Sequence, residues 1–262
     1  MTTPPAPTLA EVEAALHRSQ DRLADAVAVL APAELTSPSY DAGWTVADVL
    51  SHLGSGAAIA DLSLEAGLGR RGAPEFEELD AIWTAWNAKP PQDQAADAVV
   101  ANAAFLERLA GLDDAQRAGF AVDMFNGRQD LLGLLQLRLS EHAVHTWDVL
   151  VARDPAARLT PDATVALLSG LPELVSRAGQ RSEVPLRVAV STTEPAAAFV
   201  LEADGNGPRL LPGSAPDVPA RVTLPAEAFI RLVYGRLDDA HADAVDVDGC
   251  RLDDLRAVFP GF

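Results

Sequence analysis

The sequence predicts a mainly α protein with a smaller α+β part, an antiparallel four-helix bundle followed by a compact C-terminal domain. Two observations carry this. Apolar residues recur at helical spacing up to about residue 180, and four of the segments read as the main helices of a bundle. Beyond Pro185 the apolar period changes to two. With 262 residues, 48% of them hydrophobic, the chain can fill two modest cores.

The first helix starts at Thr8, whose hydroxyl can cap it while Glu11 reaches back, and Leu9, Val12, Leu16, Leu23, Val27 and Leu30 form its apolar stripe. Ser37-Pro38-Ser39 breaks the chain. Thr45-Val-Ala-Asp48 repeats the capping pattern and opens a second helix through Val46, Val49, Leu50 and Leu53, which carries His52. Two more helices are expected at about 75–87 and 92–111. A loop at Phe125-Asn-Gly-Arg128 precedes the longest, over roughly 130–152, which Asp154-Pro155 terminates. A further helix is expected at about 161–179, and Arg181–Pro185 reads as a linker.

The expected organisation is therefore a helical bundle over residues 1–155, a connecting helix and linker over 156–185, and a small α+β domain over 186–262. In that domain 186–190 and 198–201 read as strands, with Asp204-Gly-Asn-Gly207 as a hairpin turn and 221–224 as another strand. Pro225 suits the first turn of a short helix containing Phe229, Leu232 and Val233. A strand at 244–247 and a helix near 251–258 close it.

Composition removes several functions. The net charge of −18, with no stretch concentrating Lys or Arg, argues against a nucleic-acid partner. The start MTTPPAP lacks a basic segment followed by an apolar one, and no run approaches the ~18 apolar residues of a membrane span. A cytoplasmic monomer or small oligomer is expected. The single cysteine, Cys250, excludes an internal disulfide framework and a thiolate zinc cluster, so a metal would sit among His and carboxylate ligands.

The chemistry concentrates in Ser140–Leu150, SEHAVHTWDVL. On a helix Glu141 and His145 are i and i+4, with Cβ atoms about 6 Å apart, so they can grip one ion. Counting 100° per residue places Leu134, Leu137, His145 and Asp148 near Glu141, as if these polar groups continued the core-facing stripe. Burying them costs several kcal/mol, of the order expected for unpaired charges, unless partners or a cation compensate. His52 supplies a third ligand from another helix, and two His with one Glu is a recurring set for catalytic zinc. A hydrogen-bonded polar cluster satisfies the same spacing, and the residues alone leave both readings open. Asp148 reads equally as a carboxylate that orients a ligand histidine or as a solvated charge.

Three stretches, GWTVADVLSHL at 43–53, SEHAVHTWDVL at 140–150 and a tail ending VFPGF at 258–262, resemble the mycothiol-dependent maleylpyruvate isomerase family. The resemblance implies a DinB-like bundle joined to a sterol-carrier-like domain, with His52, Glu141 and His145 as ligands of zinc or another divalent metal. It implies mycothiol as an external thiol that the metal activates. Addition of that thiol to a conjugated cis double bond, rotation and elimination would return the trans isomer. The implied substrate is an electrophile bearing carboxylates; Arg236, in Tyr234-Gly-Arg-Leu237, is the candidate clamp with Arg231 behind it, and both also read as helix-end or surface arginines. Isomerisation and thiol S-transfer both fit the resemblance. A metallohydrolase, or a non-catalytic metal-stabilised module binding an apolar ligand or a protein, fits the ligand set without it.

Overall fold

The computed structural model describes residues 6–124 and 127–261. Residues 1–5, Phe125, Asn126 and Phe262 lie outside it, and with them most of MTTPPAP, half of the Phe125–Arg128 loop and the last residue of VFPGF. The described residues divide into two units, 8–157 and 158–261, the latter with Ala6 and Pro7.

The first unit is helical. Its elements are α1 (Leu9–Ala28), α2 (Pro32–Leu35), α3 (Val46–Gly67), α4 (Phe76–Asn87), α5 (Pro91–Ala110), α6 (Asp114–Gly119), β1 (Val122–Met124), β2 (Gly127–Gln129) and α7 (Leu131–Val151). Both anticipated capping boxes form, Thr8 with Glu11 and Thr45 with Asp48, so local side-chain chemistry sets where α1 and α3 begin. Asp130 caps α7 through the Gly133 N–H. Helices α1, α3, α5 and α7 make the bundle: α1 packs on α5 and α7, and α3 packs on the same two. Its core includes Leu23, Val49, Leu50, Leu53, Ala98 and Val149. Gly54 lets the Trp86 ring approach α3, for a Cβ there would come within 2.1 Å of the ring.

Two features differ from expectation. Helix α6 and the β1–β2 hairpin fill the stretch between α5 and α7, α6 being held by an Asp113–Gln116 capping box. The single helix expected at about 161–179 is two, α8 (Pro161–Leu168) and α9 (Leu171–Ala178). Gly170 and Pro172 at the junction disfavour an unbroken helix.

The second unit continues with β3 (Leu186–Thr193), β4 (Ala197–Asp204), β5 (Gly207–Pro212), β6 (Ala220–Pro225), α10 (Ala226–Val233), a 3₁₀ turn at Asp239–His241, β7 (Asp246–Asp248) and α11 (Leu252–Val258). The strands form one sheet in the order β5-β4-β3-β6-β7, antiparallel except for the β3–β6 pair. Helix α10 connects to β6 and packs on α8, α9 and the sheet, with Phe229 against Phe199 at 5.9 Å between ring centres. Gly235, at φ +72°, ends α10 in a left-handed turn, and its backbone approaches Gly261 too closely for a side chain. That turn sets the backbone position of Arg236, whose N–H donates to the Arg231 carbonyl.

The fold class is thus as the sequence predicts, a helical bundle with an α+β part. Among the described residues no helix is long and apolar enough to cross a membrane.

Candidate metal centre

Helices α3 and α7 bring His52, Glu141 and His145 together, with one donor atom from each within 4.8 Å of the others. Both imidazoles present Nε2 to the same carboxylate oxygen, at 3.0 Å from His52 and 3.7 Å from His145. On the far side of His145, Nδ1 faces Asp148 Oδ2 at 2.9 Å, and Asp148 is fully buried. A buried carboxylate on Nδ1 favours the tautomer with the proton there, which turns the Nε2 lone pair toward Glu141. This excludes the solvated-charge reading of Asp148. Asp41, in the loop before α3, lies with His145 and Asp148 in a second cluster of the same kind.

Trp44, immediately before α3, covers the cluster. Its ring stacks on His145 at 6.1 Å and tilts against His52 at 5.4 Å, while the two imidazoles meet edge to face at 4.6 Å. The other tryptophans do different work. Trp86 and Trp147 are core residues, Trp147 donating to the Ala157 carbonyl, and Trp83 contacts exposed Phe76.

Glu141 does not continue the core stripe as the 100° count suggests. The buried face of α7 runs through Leu131, Leu135, Arg138, His142, Thr146 and Val149, and the Glu141 side chain is 48% exposed on its shoulder. Packing against α1 and α3 decides which of the adjacent rows becomes the centre. Burial would raise the Glu141 pKa, but the His52 hydrogen bond and the charges of His145, His52 and Arg138 outweigh it and hold it at about 2. The carboxylate is therefore ionised and available as a ligand at neutral pH.

The remaining histidines stand apart. His142 points into the bundle, bonded to Ser19 Oγ at 2.8 Å and also to Gln20 and Thr146, and burial first, then the charges of Arg138 and His145, push its pKa well below the usual value. His17 is exposed on α1, and His241 pairs with Asp238 in the C-terminal unit.

Arg236 lies in the C-terminal unit, 4% exposed, its Nη1 donating to the Tyr234 carbonyl at 2.7 Å. Arg231 is gripped bidentately by Glu227 at 2.8 and 3.0 Å. The residues overlooked in the sequence are Asp41, which no spacing rule links to α7, and Arg138, which was legible as the i−3 neighbour of Glu141.

The family model described as the mycothiol maleylpyruvate isomerase N-terminal domain matches residues 16–150, just over half of the chain. Two solved structures resemble it, each over 92% of this chain and 93% of theirs. They are the mycothiol-dependent maleylpyruvate isomerase, with a TM-score of 0.64 at 13% identity, and a His-to-Ala mutant of that enzyme, 0.65 at 14%. At such identities the likeness is one of fold. No curated protein sequence matches the chain.

Proposed function

The chain belongs to the mycothiol maleylpyruvate isomerase N-terminal domain family, and from that membership we propose that it is a metal-dependent enzyme that uses mycothiol to act on a small anionic electrophile. The reaction is isomerisation of the maleylpyruvate type or transfer of the thiol. Its place of action is the cytoplasm.

The observation that carries the reading is the convergence of two imidazole Nε2 atoms and an ionised carboxylate beneath Trp44. The donor set fits a divalent ion of borderline softness, zinc foremost. Three protein donors leave coordination positions for a ligand from solution, whereas a structural zinc site closes with four. Bound there, such an ion would lower the pKa of a coordinated thiol. The protein's own part is to hold it and keep the site oriented. His52 and Glu141 would bind from α3 and α7, Asp148 fixes the His145 ring, and Trp44 limits access of water on one side. From the C-terminal part, Arg236 is proposed to meet an anionic group of the substrate, with Arg231 as its alternate.

The test is turnover of maleylpyruvate and a panel of electrophiles by zinc-loaded protein with mycothiol, with glutathione and without thiol. Activity with mycothiol alone, abolished in His52→Ala, is the expected result. Equal activity without thiol would replace the proposal by hydrolysis.

A further inference from the structure

Arg138 lies inside the bundle, 5% exposed, three residues before Glu141 on α7. Its Nη2 donates to the Leu53 carbonyl at 2.9 Å and to Asn102 Oδ1 on α5. A guanidinium has five N–H donors, and the rest are unused: Nε is buried without a hydrogen-bond partner, and Nη1 has none among the described residues. Leaving donors of a buried cation unsatisfied is costly, so the arrangement calls for an acceptor.

Nη1 lies against Gly56, 2.8 Å from where a Cβ would stand, so the missing side chain is what lets the guanidinium rest on the α3 backbone. Gly56 is four residues after His52 and Arg138 three before Glu141. Both steps lead the same way along the α3–α7 groove, by about 5–6 Å at 1.5 Å per residue. Burial lowers the guanidinium to about 10, against the pull of Glu141, so it remains a cation at neutral pH. Once Glu141 is committed to a divalent ion, that cation keeps its charge and its free donors with no carboxylate of its own.

We infer that Arg138 and Gly56 form an anion subsite at the foot of the His52–Glu141–His145 cluster, which takes a carboxylate of the substrate. The inference rests on the metal reading above and adds the ligand's shape. The spacing suits a small dicarboxylate, one end of which would lie at the metal while the other meets the guanidinium. Guanidinium and carboxylate match as a planar bidentate pair.

The probes are maleate and its uncharged diamide, titrated calorimetrically into protein of measured zinc content. Zinc-loaded wild type is expected to bind maleate and not the diamide. Affinity should fall at least tenfold in Arg138→Met and in Gly56→Ala, with zinc content unchanged. Gly56→Ala keeps every charge and improves helix propensity, so it reads the subsite even if Arg138→Met folds poorly. A second arm needs no metal: in Glu141→Gln the competing carboxylate is neutral, so stripped protein should bind maleate, and Glu141→Gln/Gly56→Ala should not. If wild type takes up no zinc the metal reading fails, and the metal-free arm still decides the subsite. Equal maleate affinity with and without these substitutions, or equal binding of the diamide, overturns the inference.

Discussion

Replacing Asp148 by Asn tests whether the proposed metal ligands are held ready by their surroundings. Asp148 is fully buried and meets His145 Nδ1 at 2.9 Å, a charge-assisted hydrogen bond of the kind that contributes about 1.5–3 kcal/mol. Asn has nearly the same shape and can still accept from Nδ1–H through its carbonyl oxygen, so about half of that is lost. That loss, about 0.8–1.5 kcal/mol, is a roughly four- to twelvefold weaker zinc affinity. Asp148→Leu leaves the N–H unsatisfied in a dry pocket and should approach the hundredfold end of the range for such supporting carboxylates. Competition with a chromogenic chelator measures both, and circular dichroism checks that the bundle remains folded. Unchanged zinc affinity in a folded Asp148→Leu protein would refute the argument that this carboxylate fixes His145 for a metal.

Three other outcomes follow from the packing and charge. Gly54→Ala should destabilise the bundle by about 1–2 kcal/mol, overpacking against the Trp86 ring outweighing the helix-propensity gain, whereas Gly56→Ala, whose Cβ meets only the end of the Arg138 side chain, should cost less; urea midpoints compare them. His142 is held neutral in the fold, so the unfolded chain takes up a proton near pH 6.5 that the native state refuses. Stability should therefore fall as the pH drops below that value, by up to about 1.4 kcal/mol per unit, and His142→Gln should flatten the slope in urea titrations. Arg236→Met should lower turnover and leave zinc content unchanged, since the side chain is proposed to meet substrate; unaltered kinetics would move that role elsewhere.

What the sequence makes legible is what short-range rules determine. Thr8 with Glu11 and Thr45 with Asp48 are self-contained capping boxes, and both helices start where those pairs place them. The i, i+4 spacing of Glu141 and His145 puts them on one face whatever lies opposite, and the structure brings His52 to that face. The same rules reach their limit at the groove. Whether Glu141 lies at the centre or the shoulder of the α7 stripe depends on α1 and α3, and periodicity alone put it one row too deep. The position of Arg138 three residues before Glu141 is legible in the sequence, but its packing against Gly56, on a helix 82 residues away in sequence, is set by tertiary structure alone. Asp41 comes from a loop with no periodic signal at all. The break between α8 and α9 was legible in Gly170 and Pro172, and the continuing apolar pattern masked it.

Elemental analysis of protein purified without added metal tests the central claim most directly. Roughly one equivalent of a divalent metal per chain is expected, lost in His52→Ala and in His145→Ala and retained in His142→Ala, whose side chain is bonded inside the bundle. Metal-free wild type that gains no thermal stability on zinc titration would contradict it and leave His52, Glu141 and His145 as a hydrogen-bonded polar cluster.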